Sequence, residues 1–224
     1  MSKEEKIIES WNANAANWID IIECSGIESR RLVTNKAIID AVIVANPKYV
    51  WDLGCGEGWL SAALQQQGMI VAGTDGIAEL IEKAKQRSPA DFFVVSYEDI
   101  ASRRIAFGHL FDAIVINFAL IGKESTENLL MALPSYLSAA GKLFIQTLHP
   151  FSRKAMNDYN SGWKEGSWDG LGDQFVMPYQ WYFRTLEDWL RLFRSSGFAS
   201  VRYSEHFHPQ SGNPLSIIFE CSII

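Results

Sequence analysis

Three carboxylates stand around one glycine turn. The stretch Asp52-Leu53-Gly54-Cys55-Gly56-Glu57-Gly58 closes an apolar run that starts at Tyr49, and a helix-forming segment follows it. Twenty-one residues after Gly54, a second apolar run over 69–74 ends in Asp75. Strand, glycine turn, helix, strand and terminal acid make up the layout of a βαβ nucleoside site. The glycines let the backbone turn tightly and approach a ligand, and the later acid accepts from both ribose hydroxyls. The charges narrow the ligand further. A dinucleotide rests its pyrophosphate at the helix N-terminus, where anions are favoured. Asp52 and Glu57 bracket that turn and repel a diphosphate, and Trp59 stands where a third dinucleotide glycine would be. The pattern therefore disfavours an NAD(P)-dependent Rossmann oxidoreductase, which stays open as the alternative. A ligand with an adenosine end and a cationic end fits better.

S-adenosylmethionine (SAM), with its ammonium and sulfonium, is such a ligand. Asp52 to Gly58 resembles the first motif of the class I SAM-dependent methyltransferases, D-x-G-x-G-x-G, at every fixed position. Four further stretches resemble a bacterial subfamily of small-molecule type with no assigned acceptor: Glu-Ser-Arg at 28–30, Gln-Thr-Leu-His-Pro at 146–150, Gly-Trp-Lys-Glu at 162–165 and the aromatic run 178–186. The resemblance implies a fold and a set of roles. The fold is α/β, a Rossmann-like seven-stranded, mostly parallel sheet with helices on both faces. It carries a C-terminal antiparallel hairpin and an N-terminal helical cap. The backbone of Gly54, Cys55 and Gly56 would pass the methionine moiety, with Asp52 toward its ammonium. Asp75 would take the ribose, and Gly76 and Ile77 would lie beside the adenosine.

Other positions depart from the pattern or stay open. Many relatives place an aspartate for the adenine amino group where this chain has Ser96, so the contact shifts to Glu98 or to Tyr97. Asn117 and the Phe118 backbone would lie near the cofactor, on the floor between SAM and the acceptor. Arg30 or Arg31, with Arg31 carried as the candidate, would meet the SAM carboxylate bidentately. His149 ends the fifth strand and is the candidate general base. Arg153 and Lys154 could attract an acidic acceptor. Each role has a plainer rival: Asp75 as a helix cap, Glu98 as a solvated charge, Asn117 as a structural amide, His149 as a packed ring. Cys55 has no histidine partner for nucleophilic work. Glu205, His206 and His208 lack a further ligand, so no metal is expected. A non-catalytic SAM-binding protein is the remaining alternative.

The elements that must position these groups follow from periodicity. Helical spacing appears over 3–22 and 29–45, the latter stopping before Asn46-Pro47. Strands are expected at 49–53, 69–74, 91–96, 112–117 and 142–148, with helices at 57–67, 77–87 and 126–139 between them. Such alternation implies a parallel sheet covered on both faces. A helix over 185–196 and strands over 199–207 and 215–221 close the chain. One domain is expected: a helical cap over 1–45, a SAM-binding core over 46–148, an insertion or lid over 149–183 and a C-terminal helix and hairpin over 184–224. The insertion is too aromatic for a linker and reads as the wall of an acceptor pocket. The formal net charge of −6, with no basic run, disfavours nucleic acid. So does the lack of prolines after Asn117, which base-modifying methyltransferases carry there. The expected partner is a small-molecule methyl acceptor. No membrane span or signal peptide is read, and three unpaired-looking cysteines suit a cytoplasmic setting.

Overall fold

The structure, a computed structural model, describes residues 1–152 and 158–223. Arg153 and Lys154 lie outside the described residues. Five parallel strands run β1 (Tyr49–Leu53), β2 (Ile70–Asp75), β3 (Asp91–Val94), β4 (Phe111–Asn117) and β5 (Leu137–Leu148). The hairpin β8 (Ser200–Phe207) and β9 (Pro214–Ser222) joins β5 antiparallel, giving the sheet order β3-β2-β1-β4-β5-β9-β8. The expected seven-stranded, mostly parallel sheet with its C-terminal hairpin is what forms. A separate two-stranded ribbon, β6 (Gly162–Lys164) with β7 (Trp181–Phe183), lies in the insertion.

Residues of β1 such as Val50, Trp51 and Leu53 are buried because helices cover both faces. On one face, α6 (Glu124–Ala132) and α7 (Leu186–Ser195) bury Leu129, Leu130, Trp189 and Phe193 against Ile114, Ile145 and Phe219. On the other, α2 (Asn35–Ala45) and α3 (Trp59–Gln66) place Ile38, Val42, Leu60 and Leu64 over Val50, Val115, Phe144 and Ile218. The chain leaves β1 for β2 on one side and reaches β4 on the other. This reversal opens a crevice at the carboxyl ends of β1 and β4, where open α/β sheets bind ligands.

Strand β3 stops at Val94 rather than 96, β5 begins at Leu137 rather than 142, and two helical segments also differ from the sequence expectation. The helix expected over 126–139 stops at Ala132, and Leu133–Tyr136 form a tighter 3-10 turn. Pro134 lacks the N–H that an α-helix needs there, and Leu137 already pairs with Phe111 on β4. The segment over 29–45 begins with a π-helical turn, Arg30–Thr34, before α2. Between β3 and β4 lies one short helix, α5 (Tyr97–Ala101).

The N-terminal helix α1 (Lys3–Glu23) and the insertion form one aromatic cap. Trp11 packs edge-on against Trp18 and Trp168, and its indole N–H donates to the Tyr179 hydroxyl at 3.2 Å. The Asn14 carboxamide pairs with the Val176 backbone in both directions, at 2.7 and 2.8 Å. The Trp168 indole donates to Ser10 at 3.0 Å. A single acid anchors the start of α1. The Glu4 carboxylate accepts from the Lys123 and Glu124 backbone N–H groups and the Ser125 hydroxyl, at 2.7, 3.0 and 2.7 Å. It thus caps α6 from another element, satisfying donors that a helix N-terminus leaves free. Beside it, Arg184 donates to the Gly122 and Lys123 carbonyls at 3.1 and 3.0 Å. Glu4→Ala should cost about 1–2 kcal/mol, the scale of a lost cap. Hydrogen exchange should quicken in 3–23 and 162–183 with little change in the central strands. Uniform acceleration across the sheet would show that the anchor belongs to the global core instead.

Candidate active site

The glycine turn is fastened to the end of β2. Gly54 and Cys55 both donate backbone N–H groups to the Thr74 carbonyl, at 2.7 and 3.0 Å. Gly54 has φ +72, and a Cβ there would sit 2.5 Å from the Ala119 Cβ and 2.8 Å from the Tyr97 hydroxyl. Only glycine leaves that gap. Gly58 serves packing instead: its added Cβ would meet Ala84 of α4 (Ala78–Arg87) at 2.8 Å.

Asp75 closes the turn from the other side. Its two carboxylate oxygens accept from the Gly56 and Ile77 N–H groups, each at 2.9 Å. Each oxygen keeps a further lone pair for a hydroxyl donor. Gly76 is exposed between them, and Ile77 is buried against α1 with Leu80 and Ala15. Asp52 lies beneath the turn, 1% exposed, and accepts from the Ser61 hydroxyl at 2.6 Å. Removal from water pushes Asp52 up to about 7, opposed by the Ser61 bond and reinforced by the Glu57 and Asp75 charges. Removal from water likewise pushes Asp75 up to about 6, against its backbone hydrogen bonds. Cys55 is buried, its thiol held far above the usual range by burial and the same acids, which removes it as a nucleophile.

Two more charged side chains, Glu57 and Arg30, are buried near the turn. Glu57 is buried; one oxygen accepts from the Trp18 indole at 3.0 Å and the other has no partner. Arg30 is buried, with its guanidinium 4.9 Å from the Trp59 ring and 5.6 Å from Trp18. One of its terminal nitrogens is unpartnered. Burial lowers its pKa, and the Glu57 carboxylate works against that. Arg31 is exposed, because the π turn directs its neighbour inward. Of the two arginines, Arg30 is the one held beside the turn.

The remaining candidates divide. The Tyr97 hydroxyl donates to the Ala119 carbonyl at 3.1 Å, joining α5 to the loop after β4 beside Gly54. Ser96 caps α5: its hydroxyl donates to the Asp99 carboxylate at 2.6 Å and accepts the Asp99 N–H at 3.1 Å. Glu98 is exposed and paired with Arg104 at 3.3 Å. Neither side chain is held toward the turn. Asn117 ends β4 with a buried, unpartnered carboxamide oxygen. Phe118 follows in the left-handed region, φ +55, a strain of about 1–3 kcal/mol of the sort that gathers at ligand sites.

His149 does not join them. It is 1% exposed and both ring nitrogens are engaged. Nδ1 accepts the Phe151 N–H at 3.1 Å, and Nε2 lies 3.0 Å from Glu205 on β8. This fixes the Nε2–H tautomer. The ring packs on Phe151 and Phe207, and burial lowers its pKa against the pull of Glu205. It has neither a free nitrogen nor an open face for an acceptor. The packed-ring alternative describes it. Among the described residues, no group of three or more His, Cys, Asp or Glu is arranged to hold a metal ion. Also among them, no helix is long and apolar enough to cross a membrane.

An open α/β sheet of this order, with an acid-lined glycine turn at its switch point, is a Rossmann-like architecture. The family model described as a methyltransferase domain matches residues 34–203. The chain belongs to that family. The ubiquinone biosynthesis O-methyltransferase of Haemophilus ducreyi is 29% identical over 108 residues, 46% of each chain. An uncharacterised methyltransferase of Mycobacterium bovis is 29% identical over 136 residues, 61% of this chain and 66% of that one. The chain thus spans about half the length of the first curated relatives it matches. Among solved structures, a DhpI–SAM–HEP complex superposes with a TM-score of 0.67 at 14% identity, covering 99% of both chains. The plantazolicin methyltransferase BamL, with a desmethyl analogue and S-adenosylhomocysteine (SAH), gives 0.66 at 16% identity, covering 99% and 97%. These structures share the fold.

Proposed function

We propose that the protein binds SAM and transfers its methyl group to a small-molecule acceptor by in-line displacement. The observation that carries this is the acid cluster. Asp52, Glu57 and Asp75 converge on a turn whose Gly54 packs directly against Ala119 and Tyr97. Two of the three are pushed toward neutrality, and the third has an orphaned oxygen. Such a cluster is relieved by a cation and not by a diphosphate. The chain's residues divide the ligand between them. Asp75 takes the ribose hydroxyls, while Tyr97 and Ile77 flank the adenine. Glu57 and Asp52 face the ammonium. Arg30, with its spare nitrogen, takes the carboxylate.

When bound, SAM supplies a methyl group already activated by its sulfonium. The protein has to align the acceptor and keep water out. The cap made by α1 and the insertion does the second. Trp18 lies over the turn, and a Cβ added at Gly56 would be 3.8 Å from its indole nitrogen. No side-chain base is assigned, because His149 is packed away.

Calorimetry with SAM, SAH and NAD tests the reading: the first two should bind, and binding of NAD alone would sink it. Proton linkage adds a sign. A cation beside Asp52 and hydroxyl donors on Asp75 both favour the ionised carboxylates, so folded-state pKa values near 7 and 6 should drop on binding. SAM binding should therefore release protons near neutral pH, and affinity should fall as pH drops from about 7 to 5. Binding heats that do not vary with the ionisation enthalpy of the buffer at pH 6.5 would contradict this.

A further inference from the structure

The face of the sheet under α2 carries a polar row that the cofactor site does not use. Helix α2 joins β1 through residues 46–48 and runs antiparallel to it, so its N-terminus lies at the carboxyl ends of the strands. Its buried face reads Val42, Ile38 and then Thr34. Val42 and Ile38 cover Val115, Phe144 and Ile218. One step along the strands, on the same face, come Asn117, Gln146 and Ser216. Asn117 and Gln146 are register partners on β4 and β5. Gln146 donates to the Ser216 hydroxyl at 2.9 Å. Thr34, one turn before Ile38, lies at this level.

Thr34 is 2% exposed and Gln146 1% exposed. The Thr34 hydroxyl, the Gln146 carboxamide oxygen and the Asn117 carboxamide oxygen are all buried without a partner. A buried polar atom left unpaired costs about 1–3 kcal/mol. The three come from three elements, and Asn117 and Gln146 sit side by side in register at the carboxyl ends of β4 and β5. Two of them are acceptors only, and the third is a hydroxyl. The turn that carries Thr34 is π-helical, a distortion frequent at functional sites.

We propose that Thr34, Asn117 and Gln146 form the subsite for the methyl acceptor's nucleophile, and that this nucleophile is a hydroxyl or amino group. The inference rests on the methyltransferase reading above. Carboxamide oxygens receive O–H or N–H donors and repel carboxylates. A thiolate or thioether offers them nothing. The nucleophile, held by its hydrogens, directs its lone pair at the methyl carbon. The new bond forms as the carbon–sulfur pair leaves with sulfur, and the nucleophile's proton passes to solvent. The three side chains carry no charge, so they orient the acceptor without taking that proton.

The test uses the full chain, labelled with nitrogen-15 and loaded with SAH. The side-chain amide resonances of Asn117 and Gln146 are assigned by their loss in Asn117→Asp and Gln146→Glu. Catechol and benzylamine serve as donor probes, with benzoate and thioanisole as donor-poor ones. At millimolar concentration, at least one donor probe should shift both amides saturably, and the donor-poor probes should leave them in place. Thr34→Val should weaken that binding by about tenfold, the upper range for one neutral hydrogen bond, with SAH affinity unchanged. No shift with either donor probe, or an equal shift with benzoate, overturns the subsite. A Thr34→Val variant that binds the probe as wild type does removes Thr34 from it. Failure of the chain to bind SAH in the same calorimeter would instead be a failure of the methyltransferase reading.

Discussion

Asp75→Ala should weaken SAM binding by about two to four orders of magnitude. The carboxylate has a lone pair free on each oxygen for the two ribose hydroxyls, and each charge-assisted hydrogen bond contributes about 1.5–3 kcal/mol. The same side chain also holds the Gly56 and Ile77 N–H groups. The cap role and the ligand role therefore coexist in one residue and predict separate losses. The cap role costs about 1 kcal/mol of stability, a fall in Tm of about 2–4 °C for a chain of this size. The ligand role appears only in affinity. Asp75→Asn separates them, because a carboxamide oxygen still accepts one backbone N–H while its NH2 cannot accept from a hydroxyl. The Asp75→Asn variant should recover most of the Tm and little of the affinity. Calorimetry beside thermal unfolding decides the matter. Unchanged SAM affinity in Asp75→Ala would leave Asp75 a helix cap and nothing more.

The elements legible in the sequence were those whose signals are local. The Asp52–Gly58 turn could be read because tight turns need glycine and because the acids bracket it. The central strands β1 and β4 could be read because a parallel strand buried on both faces is largely apolar. What was not legible depends on side chains meeting from distant elements. Nothing in Arg30-Arg31 says which arginine turns inward; the π turn and the two indoles decide it. Ser96 occupies the position of a familiar ligand, yet its hydroxyl is bound to Asp99 three residues on. Glu57 could be named as a charge at the turn, but its burial needs Trp18 from a helix far earlier in the chain. Gln146 and Thr34 give no sign in sequence beyond their polarity at the inner face of a strand and a helix. Polar residues at positions of apolar period are the signal that could have found them, since burial there needs a partner. The aromatic density of the insertion could be read from composition. Its docking on α1 through Asn14 and Ser10 could not.

His149 is where position and environment disagree most, so its replacement discriminates best. A histidine at the end of β5 has the address of a general base. Its surroundings are those of a strut between β5 and the hairpin: a backbone N–H on one nitrogen, Glu205 on the other, and two phenyl rings against its faces. His149→Ala should therefore act on the fold, with a loss of about 2–4 kcal/mol, as for a large buried side chain cut to alanine. Tm should fall by about 5–12 °C, with SAM affinity nearly intact. The pH dependence carries a definite sign. Burial lowers the folded-state pKa below the ordinary value of about 6.5, so the unfolded chain binds the proton more readily. The ring's stabilising contribution is complete above about 6.5 and is lost as pH falls below it. The gap in stability between wild type and His149→Ala should then narrow on acidification, whereas a purely apolar contact would hold it constant. Glu205→Gln keeps an acceptor for the Nε2–H and should cost far less than removal of the ring. A general base would behave otherwise. Turnover would drop by about 10²–10⁴-fold at unchanged Tm, and the acid limb of the rate profile would vanish with the imidazole. That combination would return His149 to the chemistry, and it would require the ring to leave Glu205 and Phe151 before an acceptor could reach it.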